Sequence, residues 1–138
     1  MHAVASFDVT GWDQTPAAES DGGPNHARAV VSKVFKGDLE AESTADLLMY
    51  QADTAGLAAG AGYVASERVE GSLNGRSGTF VMQHWGLSHA ESQRTGGHIV
   101  PGSGTGELGG LSGSVEISVG EDGAHSMTLD YELNDATA

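Results

Sequence analysis

Tyr63 to Gly86, YVASERVEGSLNGRSGTFVMQHWG, is the stretch whose reading decides the fold. Asn74-Gly75 stands between two runs with strand-like alternation, Tyr63 to Leu73 and Arg76 to Gly86. A type I′ turn needs positive φ at both central positions, and Asn-Gly is the pair that takes it most readily. With these two residues as the turn, Leu73 faces Arg76. Counting outward then sets Val69 against Phe80, Glu67 against Met82 and Ala65 against His84. Successive side chains point to opposite faces, so Tyr63, Ala65, Glu67, Val69, Phe80, Met82 and His84 share one face. That face is apolar except for a carboxylate and an imidazole on diagonal positions. The other face carries Val64, Ser66, Arg68, Glu70, Thr79, Val81, Gln83 and Trp85.

Short alternating runs continue on both sides of this hairpin. Ala3 to Val9, His26 to Lys36 and Leu39 to Gln51 precede it, the last two joined by a Gly37-Asp38 turn. Glu91 to Val100, Ser114 to Val119 and Ala124 to Leu133 follow it. In the last run His125, Met127, Leu129, Tyr131 and Leu133 fall on one face. Pro16 to Pro24 reads as a loop, as do Ala52 to Gly62, where a short helix competes, and the glycine-rich Gly102 to Gly113. Gly120 to Gly123 reads as a turn and Asn134 to Ala138 as a frayed tail. No internal repeat is visible. About eight strands with short connections predict an all-β domain, a sandwich or a barrel. Closure is favoured because it removes both sheet edges. An eight-stranded barrel is just wide enough to be filled by side chains or to hold one small ligand.

The chain has 138 residues, a length that predicts a single domain over 1–138. Six basic residues against 19 acidic ones give a formal charge of −13. That sign repels nucleic acid and anionic lipid, so neither is expected as a partner. With no cysteine there can be no disulfide, thiol nucleophile or cysteine-based metal site. Met1 to Trp12 lacks the pattern of a signal peptide, and no run reaches the roughly 20 apolar residues of a membrane helix. The expectation is a soluble cytoplasmic protein.

Three motifs need weighing. Gly104-Thr105-Gly106-Glu107-Leu108-Gly109 fits G-x-G-x-x-G, but a dinucleotide site needs a strand before it and a helix after it. Here Pro101 precedes and Gly110, Ser112 and Gly113 follow, so it reads as a tight turn between strands. His84, His89 and His98 are spaced 5 and 9 apart, which suits no zinc pattern, and no metal or other cofactor is expected. Glu67 and His84 remain. A carboxylate on an apolar face is costly unless partnered, and diagonal neighbours on adjacent strands can meet. They are either a structural pair, with or without a basic partner for Glu67, or an acid–base pair whose proton affinities are tuned by burial. If the opposite face turned inward, the lining would be Ser66, Arg68 and Gln83 with Trp85 as a wall.

Several segments resemble the bacterial domain-of-unknown-function family 3224. They are Gly11-Trp12-Asp13, Phe35 to Glu40, Glu67 to Gly71, Gly75 to His84, Val100 to Gly113 and Gly123 to Tyr131, together spread over nearly the whole chain. The last departs at Met127, where an aromatic is expected. That family looks like the allene oxide cyclase-like barrels, and the Gly-Thr-Gly turn is similar to one in those cyclases and in dirigent proteins. The resemblance implies a closed antiparallel eight-stranded β-barrel. It also implies a lipophilic or phenolic molecule bound inside, cyclised or coupled without a cofactor, and a tendency to homo-oligomerise. It carries over no catalytic residue.

The combined expectation is a barrel holding a small, largely apolar molecule and possessing a cofactor-independent isomerase or cyclase chemistry. Glu67 is the candidate base and His84 the candidate acid. Val69, Phe80, Met82, Met127 and Leu129 are the candidate walls, and Tyr63 or Tyr131 a further donor. The rival readings are a carrier without catalysis and a barrel filled by its own side chains that acts through its surface.

Overall fold

The computed structural model describes residues 1–16, 26–51, 60–89, 92–120 and 123–134. The strands are β1 (His2–Pro16), β2 (His26–Gly37), β3 (Leu39–Gln51), β4 (Ala61–Leu73), β5 (Arg76–His89), β6 (Ser92–Ile99), β7 (Leu111–Val119) and β8 (His125–Leu133). They follow one another in chain order around a closed antiparallel barrel, with β8 pairing back onto β1. Residues 17–24 of the expected loop, most of Ala52 to Gly62, Glu91, residues 121 and 122 of the expected turn and the end of the expected tail lie outside the described residues, while Pro16 ends β1.

The central hairpin has the register that the Asn74-Gly75 turn imposes: Leu73 faces Arg76, Val69 faces Phe80 and Ala65 faces His84. Asn74 sits at φ 47° and Gly75 at φ 85°, the left-handed region the turn requires. The Gly37-Asp38 turn sets β2 against β3 in the same way, with Lys33 facing Ser43 and Phe35 facing Ala41. β1 runs further than the alternation of Ala3 to Val9 predicts. Its pairing with β2 shifts between Val9 and Gly11, so Thr10 is an extra residue. This β-bulge breaks the two-residue period and hides the rest of the strand from a pattern reading.

Side chains fill the interior unevenly. The half nearest the Gly37-Asp38 and Asn74-Gly75 turns is packed by Phe7, Phe35, Leu39, Val69, Leu73, Phe80, Met82, Ile99, Leu111, Met127, Leu129 and Tyr131. Leu108, on a single 3-10 turn (Gly106–Leu108), closes this end. The glycine motif is thus a plug, held by the Thr105 N–H to Thr79 O at 2.8 Å and by the Thr79 N–H to Thr105 Oγ1 at 3.1 Å. The other half is lined by small residues, Ala29, Ala45 and Ala65, with Val31 and Leu47. Small side chains on facing strands leave space that larger ones would fill.

Candidate functional site

At the boundary between these halves lies a buried polar cluster. Glu67 on β4 is 0% exposed, His84 on β5 is 5% and Lys33 on β2 is 7%. Lys33 Nζ donates to Glu67 Oε1 at 3.0 Å and Ser43 Oγ donates to Glu67 Oε2 at 2.5 Å. His84 Nε2 meets Glu67 Oε1 at 2.8 Å, and its Nδ1 lies 3.1 Å from the Tyr63 hydroxyl. The strand registers produce this meeting. Ser43 faces Lys33 across β2 and β3, Ala45 faces Glu67 across β3 and β4, and His84 sits diagonally from Glu67 across β4 and β5.

Burial pushes the Glu67 carboxyl up, but four effects together outweigh it. They are the His84 hydrogen bond, the Lys33 charge, the Ser43 hydrogen bond and, smallest, the charge His84 carries when protonated, and they hold it below the usual glutamate value. Glu67 is therefore a carboxylate, able only to accept, and His84 Nε2 must carry a proton. Burial, and then the Glu67 charge, push the Tyr63 phenol up, so it stays protonated. A hydrogen-bonded chain thus runs from Glu67 through His84 to Tyr63.

Beyond it lies a cavity of about 520 Å³. Its walls include Phe7, Val31, Leu47, Met49 and Ile117, with Lys33, Tyr63, His84, Thr95 and His125 as polar points. Phe7 stacks on His125 with ring centroids 5.1 Å apart, and Lys33 Nζ lies 4.7 Å from the Phe7 centroid. Trp12 reaches the same space. Beyond the bulge it faces the buried Val31, so its side chain is on the barrel's inner side. Gly86 makes room for Tyr63, since a Cβ there would lie 2.5 Å from Tyr63 Cε1. A second concavity, of about 940 Å³, runs over the rim and outer face along Leu48, Val64, Trp85 and Leu87.

Of the nine candidate residues, Tyr63 and His84 line the cavity. Glu67 lies behind them, joined to the cavity through His84. Val69, Phe80, Met82, Met127, Leu129 and Tyr131 belong to the packed half instead. There the Tyr131 hydroxyl accepts from Asn74 Nδ2 at 2.7 Å and ties the last strand to the hairpin turn. Sequence reasoning missed Lys33 as the partner of Glu67. The signal was present, since a lysine on the otherwise apolar face of β2 falls opposite Ser43 once the Gly37-Asp38 turn sets the register. It missed Trp12 because nothing in the local pattern marks the bulge. Among the described residues no group of three His, Asp or Glu could hold a metal ion, and no helix is long and apolar enough to cross a membrane.

A small closed antiparallel eight-stranded barrel with a polar cluster buried at mid-height defines the class. The chain belongs to the family described as "Protein of unknown function (DUF3224)", which matches over residues 3–131. It is similar to the crystal structure of a protein of unknown function from that family in Shewanella oneidensis MR-1. The two are 37% identical over 99% of this chain and 98% of that one, with a TM-score of 0.85. No curated protein matches the chain.

Proposed function

We propose that the barrel binds one small, largely apolar molecule in the 520 Å³ cavity and presents the Tyr63–His84–Glu67 chain to its polar group. The observation that carries this reading is that the hydrogen-bonded chain ends at the wall of a space with otherwise mostly apolar lining. Pockets of this kind pair apolar walls with a few placed polar groups. In such a chain a proton taken by Tyr63 from a ligand is matched by transfer of the Tyr63 proton to His84. The resulting imidazolium is stabilised by Glu67, as the acid orients and stabilises the base in hydrolytic triads. The chemistry it suits is proton abstraction and return, as in a cofactor-independent isomerisation or cyclisation. The likeness to cyclase barrels supports this only as an analogy of fold.

A second reading, a carrier without turnover, is favoured by one observation. Both Glu67 oxygens are already engaged, Oε1 by Lys33 and His84 and Oε2 by Ser43, so the carboxylate is largely occupied within the protein. Binding is tested with Nile red, a neutral apolar fluorophore. One saturable site is expected, and it should be lost in Leu47→Trp, which fills the cavity from its wall. Undiminished binding by that variant contradicts the cavity reading. Native mass spectrometry of the purified protein, followed by identification of any released compound, supplies a substrate for separating enzyme from carrier. Product formed by wild type and lost in Tyr63→Phe marks an enzyme, and unchanged compound marks a carrier.

A further inference from the structure

We propose that the cavity selects neutral hydroxylic molecules, alcohols, phenols or enols, by accepting their O–H at the Tyr63 hydroxyl oxygen, rather than acids or ligands that only accept hydrogen bonds. This rests on the cavity reading above and adds the polarity of the contact. The acceptor-only Glu67 carboxylate sets the direction of the hydrogen bonds it receives, and charge balance sets the one between His84 and Tyr63. Glu67 accepts from Lys33 Nζ, Ser43 Oγ and His84 Nε2, so the proton of the imidazole is on Nε2. One ammonium, Lys33, already balances the one carboxylate, and a neutral His84 leaves the buried cluster without net charge. An unbalanced buried charge carries a desolvation cost of several kcal/mol. Neutral His84 then offers a lone pair at Nδ1, and the Tyr63 O–H, 3.1 Å away, fills it. With its proton pointed at His84, Tyr63 turns only lone pairs toward the cavity. A ligand meets an acceptor there and must bring a donor.

The same charge balance disfavours an acid. A carboxylate approaching Lys33 also approaches Glu67, 3.0 Å from Lys33 Nζ, so attraction and repulsion largely cancel while the anion loses its water. His125, stacked on Phe7, is the other ionisable group at the wall facing this space, and Glu116 lies at its edge. If chemistry follows binding, the ligand O–H bond breaks and its proton bonds to the Tyr63 oxygen. The former Tyr63 proton bonds to His84 Nδ1, and the ligand is left as an alkoxide, phenolate or enolate. Charge is conserved throughout, and no oxidant or reductant is involved.

Isothermal titration with three probes of one shape tests this: 2-naphthol, which donates, 2-methoxynaphthalene, which only accepts, and 2-naphthoate, which is an anion. The expected result is that 2-naphthol binds about tenfold more tightly than the methoxy compound, the upper end of what one neutral hydrogen bond contributes. 2-Naphthoate should bind most weakly. In Tyr63→Phe the naphthol preference should fall to within about twofold while the methoxy compound keeps its affinity, as expected for loss of one polar contact. Equal binding of all three, tightest binding of 2-naphthoate, or a naphthol preference that survives Tyr63→Phe overturns the hydroxyl assignment and leaves the cavity reading standing. Failure of every probe to bind overturns both.

Discussion

Glu67 and Lys33 form an ion pair with side chains 0% and 8% exposed, so their contributions are best measured by breaking it in two ways. Glu67→Gln leaves the Lys33 ammonium buried without its anion and should cost about 3–5 kcal/mol in urea unfolding. The double variant Lys33→Met/Glu67→Gln removes both charges and should regain most of that. Because Glu67 is held below its ordinary value of 4.5, the unfolded chain takes up this proton first as pH falls. Its contribution is complete above the ordinary value and is lost as pH drops through the depressed folded value. Wild type should therefore lose more stability than the double variant between about pH 5 and pH 3, and equal losses would show that Glu67 is not depressed. Lys33 was within reach of a sequence reading, as a lone cation on an apolar strand face opposite a serine. Its link to Glu67 became visible only when two hairpin registers were combined, because the pair spans three strands.

At the level of strands, turns set what the sequence could reveal and bulges set what it could not. The Asn74-Gly75 turn gave correct facing pairs for the whole hairpin, since Asn at φ 47° and Gly at φ 85° is a local demand with a local signature. Asn74 also donates to Tyr131, so Asn74→Ala should cost about 1–2 kcal/mol, whereas Asn74→Gly keeps the turn and loses only that bond. The Thr10 bulge has no such signature, and with it went Trp12. Deleting Thr10 removes the extra residue but leaves Gly11 opposite Ser32 and Trp12 opposite Val31, so Trp12 and Gln14 should stay on the inner side. In a Trp85→Phe background, the Trp12 emission should therefore still respond to 2-naphthol after the deletion, and loss of that response would contradict the bulge assignment. Close packing of Tyr63 on Gly86 makes a further prediction. Gly86→Ala places a Cβ 2.5 Å from the Tyr63 ring, so it should displace the hydroxyl from His84 and weaken 2-naphthol while the chain stays folded. Unchanged affinity would mean that the Tyr63 position does not govern binding. The division of the interior into a packed half and a hollow half also escaped the sequence. Alternation tells which side chains face inward, and only the heights of the strands around the barrel tell which of them meet. That is why Val69, Phe80, Met82, Met127, Leu129 and Tyr131 packed one another rather than lining the cavity.

Over the whole molecule, a formal charge of −13 on 138 residues produces self-repulsion that salt screens. The melting temperature should rise between low salt and 1 M sodium chloride, and a fall would mean that specific ion pairs outweigh this repulsion. The closed barrel, with every strand paired on both sides to its chain neighbours, supplies a rigid wall on which the polar cluster can hold fixed positions. The interior cavity behind Tyr63 competes as a binding place with the outer apolar concavity along Leu48, Val64, Trp85 and Leu87. Mapping backbone and methyl NMR shifts during titration with 2-methoxynaphthalene separates them without depending on the hydroxyl assignment. The account predicts saturable shifts centred on Val31, Leu47, Met49, Tyr63, His84 and Ile117. Shifts confined to Leu48, Val64, Trp85 and Leu87, or no shifts at all, would contradict it.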